Sequence, residues 1–290
     1  MCFGSPQIDD TDEMFSSSRN GYFKGRVVIV TGASSGIGRE IARAFASLGA
    51  KITVAGRNPE RLKETADFCR ETGASDEDLL EVLGDLSLQE TCVAIVNKTI
   101  ERFGKIDVNN AGAHFGDKEG RKGIAIPIDA YDRTMALNVR SPIILSQLCI
   151  SHLEATQGAV VNISSVASAP LVSPTFTYYS VSKAALDAVT VQMAGTLIAK
   201  GIRVNGVNPG IIATNFHDTA GMGYEAAQQM YAAAGKDPEL IPIGRMGTAR
   251  DVAEVVVFLA DRTRSEYVIG QRLTVDGGTT LMNKLISADF

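Results

Sequence analysis

Residues 27–38 read Val27-Val28-Ile29-Val30-Thr31-Gly32-Ala33-Ser34-Ser35-Gly36-Ile37-Gly38. Four apolar, β-branched residues in succession suit a strand covered on both faces, as the central strands of a parallel sheet are. Glycines punctuate the next stretch, and a helical pattern then runs from Gly38 to Leu48. It stops at Gly49, a residue able to take the left-handed conformation that closes a helix. A strand, a glycine turn and a helix in direct succession make the first half of a βαβ unit. The glycines let the backbone turn sharply and approach a ligand, while the helix N-terminus presents free amides and the positive end of its dipole. Gly32, Ser34, Ser35, Gly36, Ile37 and Gly38 therefore form a candidate pyrophosphate cradle.

Outward from this stretch, β-branched runs keep alternating with longer amphipathic segments. The runs are Val27 to Val30, Lys51 to Ala55, Leu79 to Leu83, Ile106 to Val108, Ala159 to Ile163, Ile202 to Val207 and Leu273 to Val275. The alternation predicts an α/β fold, a Rossmann-type doubly wound sheet of about seven parallel strands. Helices are expected over Pro59 to Arg70, where Pro opens the first turn, and over Ala184 to Ala199, before Gly201. No Pro/Ser-rich linker divides residues 23–280, so one domain is expected there, between a flexible N-terminal arm at 1–22 and a C-terminal tail at 281–290.

The chain of 290 residues is 45% hydrophobic and 21% charged, apolar enough for a sizeable core. Its 28 basic and 33 acidic residues give a net charge of −5, which offers a polyanion no basic surface. Nucleic acid is not an expected partner. Cys2, Cys69, Cys92 and Cys149 show no CxxC or Cys/His ligand spacing, and His114, His152 and His217 do not cluster, so no metal is expected. Scattered single cysteines fit reduced, buried thiols and a cytoplasmic protein. The arm carries acidic residues where a signal or transit peptide would not, and apolar runs such as Val255 to Ala260 fall far short of a membrane span.

Chemistry gathers in the second half of the chain. Tyr179 and Lys183 stand four residues apart, one above the other on a helix, bringing phenol and ammonium together. Free tyrosine titrates near 10, and a neighbouring cation favours the phenolate, so the pair is expected to lower the Tyr179 pKa and make it a general acid or base. Further short motifs follow in order: Gly84-Asp85-Leu86, Asn109-Asn110-Ala111-Gly112, Asn138-Val139, Ser164-Ser165, Asn208-Pro209-Gly210 and Asp276-Gly277-Gly278. With the GxxxGxG turn and the Tyr179/Lys183 pair, this order resembles the short-chain dehydrogenase/reductase family over about residues 23 to 280.

The resemblance implies an oxidoreductase that moves hydride between a nicotinamide cofactor and a carbonyl or alcohol. It implies a catalytic set of Asn138, Ser165, Tyr179 and Lys183, with Ser164 and Ser168 as nearby competitors of Ser165. Asn138 would support a water-linked proton path to Lys183; the bland reading is an amide bonded to a backbone carbonyl in a bent helix. Cofactor contacts are implied for Asp85, at the adenine amino group, for Asn110, Ala111, Gly112, Pro209 and Gly210, and for Thr214, at the carboxamide. Lys183 would hold the nicotinamide ribose. The region from 211 to 245, with Met222, Tyr224, Met230 and Tyr231, would cover a moderately hydrophobic substrate. A homodimer or homotetramer is implied, with helices near 130–154 and 180–199 in the interface.

Cofactor choice is read at the end of the second strand. An NAD enzyme places a carboxylate there, and Val54-Ala55-Gly56-Arg57-Asn58 has none. Gly56 leaves room and Arg57 offers a charged fork for a 2′-phosphate, so NADP(H) is preferred and NAD(H) possible. Arg39 could assist, though an exposed helix arginine is the simpler reading.

One departure from the family pattern stands out. Only Val108 separates Asp107 from Asn109-Asn110-Ala111-Gly112, where the family places three residues. The loss amounts to about 6.6 Å of extended chain at ~3.3 Å per residue, and an even deletion preserves which face each residue meets. A catalytically impaired binding or interaction module is therefore the alternative function.

Overall fold

The computed structural model describes residues 21–111, 122–169, 174–214 and 223–282. Among them, seven strands form one parallel sheet: β1 Val27–Thr31, β2 Lys51–Gly56, β3 Leu79–Leu83, β4 Val108–Ala111, β5 Ala159–Ile163, β6 Arg203–Pro209 and β7 Arg272–Val275. Their spatial order is β3-β2-β1-β4-β5-β6-β7. The order reverses direction between β1 and β4, which opens a crevice at the carboxyl ends of the strands. Helices α1 Gly36–Ser47, α2 Pro59–Glu71, α3 Gln89–Phe103, α4 Ile128–Met135, α5 Ser141–Thr156, α6 Thr177–Leu197, α7 Tyr224–Ala234, α8 Ala249–Ala260 and α9 Arg262–Ser265 connect them. None of these is long and apolar enough to cross a membrane.

Side chains of successive strand residues go to opposite layers, as the period of two requires. Val28 and Val30 join Ile41 and Phe45 of α1 and Val256 of α8 in one core, whereas Ile29 joins Ile95 of α3, Leu145 of α5 and Leu197 of α6 in the other. The sheet is thus covered on both faces, which explains the unbroken apolar run of β1.

Three element boundaries differ most from the sequence reading. The helix expected from Ala184 begins instead at Thr177, so that Tyr179 and Lys183 both lie within α6. Tyr22, assigned to the flexible arm, packs its ring edge-on against Phe23 at 4.9 Å and lies under the Arg26 guanidinium at 4.0 Å. The fourth strand covers Val108–Ala111 rather than Ile106–Val108. Its start is pinned by Asp107, whose amide donates to the Val27 carbonyl and whose carboxylate accepts from the Val27 amide at 2.8 Å and from Arg26 at 2.9 Å. Ile106, one residue earlier, is fully buried in the helix layer.

The pairing shows where the short strand loses its length. Val108 is level with Val28 and Ala159, Asn109 with Ile29 and Val160, and Asn110 with Val30 and Val161. The preceding helix α3 runs on to Phe103 and closes at Gly104 in the left-handed conformation. The deletion is therefore absorbed at the carboxyl end, and Asn109 and Asn110 take register positions inside the sheet.

Candidate active site

A cleft of about 740 Å³ lies at the carboxyl edge, over the β1/β4 switch point. One wall is the glycine turn: Gly32, Ser34, Ser35, Gly36, Ile37 and Gly38 all line it. Gly32 and Gly36 have φ of +65° and +54°, conformations that favour glycine. A Cβ on Gly38 would collide with the Gly32 carbonyl, so this helix turn can lie against the loop only without a side chain. Ser35 caps α1 without a side-chain hydrogen bond, which leaves the first amides of the helix directed at the cleft.

The far wall holds the polar groups. Ser165 follows β5, and its hydroxyl accepts from the Ala167 amide at 3.1 Å. Its competitors are committed elsewhere: Ser164 Oγ donates to the Lys183 carbonyl at 3.1 Å, and Ser168 Oγ accepts from Asn208 at 2.9 Å. Ser165, Tyr179 and Lys183 line the cleft together, as do Pro209, Gly210 and Thr214. Lys183 is 2% exposed and donates to the Ile163 carbonyl at 2.8 Å, with Nζ 5.5 Å from the centre of the Tyr179 ring. Asn138 sits behind this group in a widened π turn, Ala136–Arg140, and donates to Ser182 Oγ at 3.0 Å; Ser182 Oγ donates to the Tyr179 carbonyl at 2.7 Å. Its Oδ1 is buried with no hydrogen-bond partner in the described structure.

Burial, more than charge, sets the protonation of the pair. It pushes the Tyr179 phenol up to about 12, opposed by a hydrogen bond with Ser165, and pushes the Lys183 ammonium down to about 7, opposed by Asp187. The expected lowering of Tyr179 by Lys183 is thus corrected: the phenolate is desolvated, and the cation that should favour it is destabilised by the same burial.

At the cofactor-specifying end, Arg57 is exposed at the cleft rim. Gly56 does not leave open room, because Ser34 Oγ fills the place a Cβ would take. That hydroxyl is buried without a hydrogen-bond partner among the described residues. Arg39 is occupied by Glu64 at 2.8 Å and by the Ser34 carbonyl at 2.9 Å, so it braces the loop. Asp85 stands between the lining residues Gly84 and Leu86, oriented by the Ser87 amide at 2.9 Å. Asn110 and Ala111 belong to β4, and Gly112 lies outside the described residues, as do His114, His217 and Met222.

The sequence reading missed part of the apolar lining. Leu137, Val166 and Phe176 face the cleft beside Ile211 of the expected substrate cover, and the Phe176 ring meets that of Tyr179 edge-on at 6.2 Å. Their signal was adjacency to the polar motifs. A dinucleotide fits this donor set: open helix amides, a close-approach turn, an unpaired Ser34 hydroxyl and an exposed guanidinium.

Comparison with known proteins agrees. Residues 32–280 match the family described as Enoyl-(Acyl carrier protein) reductase. A short-chain dehydrogenase/reductase of unknown function from Caenorhabditis elegans, solved with cofactor, superposes with a TM-score of 0.89 at 40% identity, covering 92% of this chain and 100% of that one. The 7α-hydroxysteroid dehydrogenase of Escherichia coli is 33% identical over 267 residues, 91% of this chain and 98% of its own length. An enzyme of that name has been solved with NADH and 7-oxo glycochenodeoxycholic acid, with a TM-score of 0.77 at 31% identity over 90% of this chain and 97% of that one. L-Sorbose reductase from Gluconobacter frateurii, solved with NADPH and L-sorbose, gives 0.77 at 28% identity over 90% and 98%. With its glycine turn, its Ser165–Tyr179–Lys183 group and these relatives, the chain belongs to the short-chain dehydrogenase/reductase family and is an oxidoreductase of that family.

Proposed function

We propose that this oxidoreductase interconverts an alcohol and a carbonyl with NADP(H) as its preferred cofactor, Tyr179 moving the proton. The observation that carries the reading is the meeting of Ser165, Tyr179 and Lys183 in one cleft with the glycine turn. The bound nicotinamide supplies the hydride, or takes it in the reverse direction. In reduction, Ser165 Oγ donates to the substrate carbonyl oxygen and holds it beside the Tyr179 phenol, which gives up its proton as charge develops there. Lys183 stabilises the phenolate left behind, and Asn138, through Ser182, fixes the backbone turn that carries Tyr179. The glycine turn and the α1 amides would hold the pyrophosphate. Asp85, Asn110, Ala111, Gly112, Pro209, Gly210 and Thr214 are assigned to the rest of the dinucleotide. The apolar faces of Phe176, Val166 and Ile211 favour a moderately hydrophobic carbonyl.

Preference for NADP(H) rests on the missing carboxylate after β2, on Arg57 and on the unpaired Ser34 hydroxyl. Charged hydrogen bonds of ~1.5–3 kcal/mol to the 2′-phosphate give NADPH roughly 10- to 150-fold tighter binding than NADH. Fluorescence titration with both nucleotides checks this, and a panel of aliphatic, cyclic and sugar-like carbonyls then reports turnover. Equal affinities, or an undiminished preference in Arg57→Leu, would contradict the assignment. The impaired-module alternative finds no support among the relatives, which are named as oxidoreductases. The proposal includes a homodimer or homotetramer, and a cytoplasmic location supported by the free, buried thiols of Cys69, Cys92 and Cys149.

A further inference from the structure

Asp187 stands one helical turn beyond Lys183, so Tyr179, Lys183 and Asp187 follow one another at four-residue steps along α6. Its side chain is 8% exposed, in a setting where a carboxylate is retained only with partners. Oδ2 accepts from Asn208 Nδ2 at 2.9 Å. The same Nδ2 donates to the Ser165 carbonyl at 3.2 Å and to Ser168 Oγ at 2.9 Å. Oδ1 is buried with no hydrogen-bond partner in the described structure. One acidic side chain thus stands between the helix that carries the proton-handling pair and the turn that carries Ser165. None of the roles assigned above uses it.

Resting on the functional reading above, we propose that Asp187 is a positioning residue for the reaction, holding Lys183 as a cation on one side and, through Asn208, clasping the Ser165 turn on the other. Around it, α6 contributes Lys183 and, a turn further, Tyr179; β6 contributes neutral Asn208, which also holds Ser168 and the Ser165 carbonyl of the turn after β5, and β5 itself carries no ionisable side chain. Lys183 is therefore the group that responds to the Asp187 charge. Burial drives its ammonium down and Asp187 acts in the opposite direction, so removing Asp187 lowers the Lys183 titration further.

The test separates charge from clasp in the full-length protein. Lysine labelled with ¹³C at Cε reports the Lys183 protonation midpoint, its resonance assigned by its loss in Lys183→Met. In Asp187→Asn, which keeps the shape and the bond to Asn208, the midpoint falls by ~1 unit or more, and the basic limb of the reductive kcat profile moves to lower pH with it. Asp187→Glu restores the wild-type midpoint. Asn208→Ala leaves the midpoint in place but raises KM roughly tenfold for the carbonyl of the panel that is reduced fastest, the scale of one lost hydrogen bond. A midpoint unmoved in folded Asp187→Asn, or an unmoved KM in folded Asn208→Ala, overturns the proposal. If Asp187→Asn does not fold, the smaller neutral Asp187→Ser is read in its place: a midpoint lowered by ~1 unit or more supports the charge role, and an unmoved one sinks it. If no carbonyl in the panel turns over, the functional reading fails, while the lysine midpoint still decides the role of Asp187.

Discussion

Tyr179 and Lys183 share one buried environment that acts on them in opposite senses, holding the phenol protonated and the amine near its midpoint at neutral pH. Removing only the phenol oxygen tests the proton-transfer role directly. Tyr179→Phe keeps the ring that packs against Phe176, so the fold and NADPH affinity should persist while kcat falls by ~10²-fold or more, the usual cost of a lost general acid or base. Near-normal turnover on any reduced carbonyl would remove Tyr179 from the mechanism. The same burial makes stability depend on pH. Lys183 titrates at about 7 in the native state against 10.5 in a free chain, so between these values the unfolded chain holds a proton that the native state has released. Stability contributed by this group rises with pH across that window, and below it the full penalty of burying the charge is present. Tyr179 acts oppositely, its contribution falling between about 10 and 12. In Lys183→Met, thermal melts across the neutral-to-alkaline range should lose the rise; a melt profile parallel to wild type would show that Lys183 is not buried as a base.

At the scale of elements, β4 is where local pattern and tertiary register disagree. Asp107 fixes the start of the strand by binding Arg26 and the Val27 amide, and Ala159 donates to the Asp107 carbonyl at 2.9 Å from the other side. With one end fixed and both neighbours in register, the missing length is taken from the carboxyl end, which draws Asn109 and Asn110 two positions into the sheet. Inserting Leu-Val after Val108 should return apolar residues to the central ladder and the Asn-Asn-Ala-Gly motif to the rim. Tm and NADPH affinity should then rise together. An insertion that destabilises the protein, or leaves binding unchanged, would mean that the shorter strand is already accommodated. The alternation of strands and helices was legible because burial on two faces leaves continuous apolar runs, and the glycine turn and the Tyr179/Lys183 pair were legible as candidates because their spacing matches turn and helix geometry, whereas the roles of Asn138 and Thr214 came from the family resemblance alone. The bounds of β4 were not, since its pairing is set by an Arg26–Asp107 contact across 81 residues. Nor was the start of α6: Thr177, Tyr178 and Tyr179 are weak helix formers held by tertiary contacts, among them Tyr178 Oη on the Ile126 carbonyl at 2.9 Å.

Across the whole molecule, α6 faces two ways. Its inner side carries Tyr179, Lys183 and Asp187, and its outer side presents Val181, Ala184, Ala188, Val191 and Gly195, all exposed, uncharged and spaced by three or four residues. The space where a Gly195 Cβ would stand is open. On the same face of the sheet, α5 is apolar around most of its circumference, with Ile144, Leu148 and Ile150 only partly buried. A helix that is apolar beyond the face its own sheet needs calls for cover, and a stripe of small residues lets a symmetry-related copy approach closely. Light scattering should therefore give a multiple of the 30.8 kDa chain mass at micromolar concentration. Ala188→Glu would set like charges against each other across a two-fold axis and release monomers. Because the same helix holds the active residues, those monomers should melt at lower temperature than the wild type, with a Tm no longer dependent on concentration. A wild type that stays monomeric, or an Ala188→Glu variant that assembles unchanged, would separate the outer face of α6 from assembly and leave the rigidity of the Tyr179–Lys183 pair to the inner contacts alone.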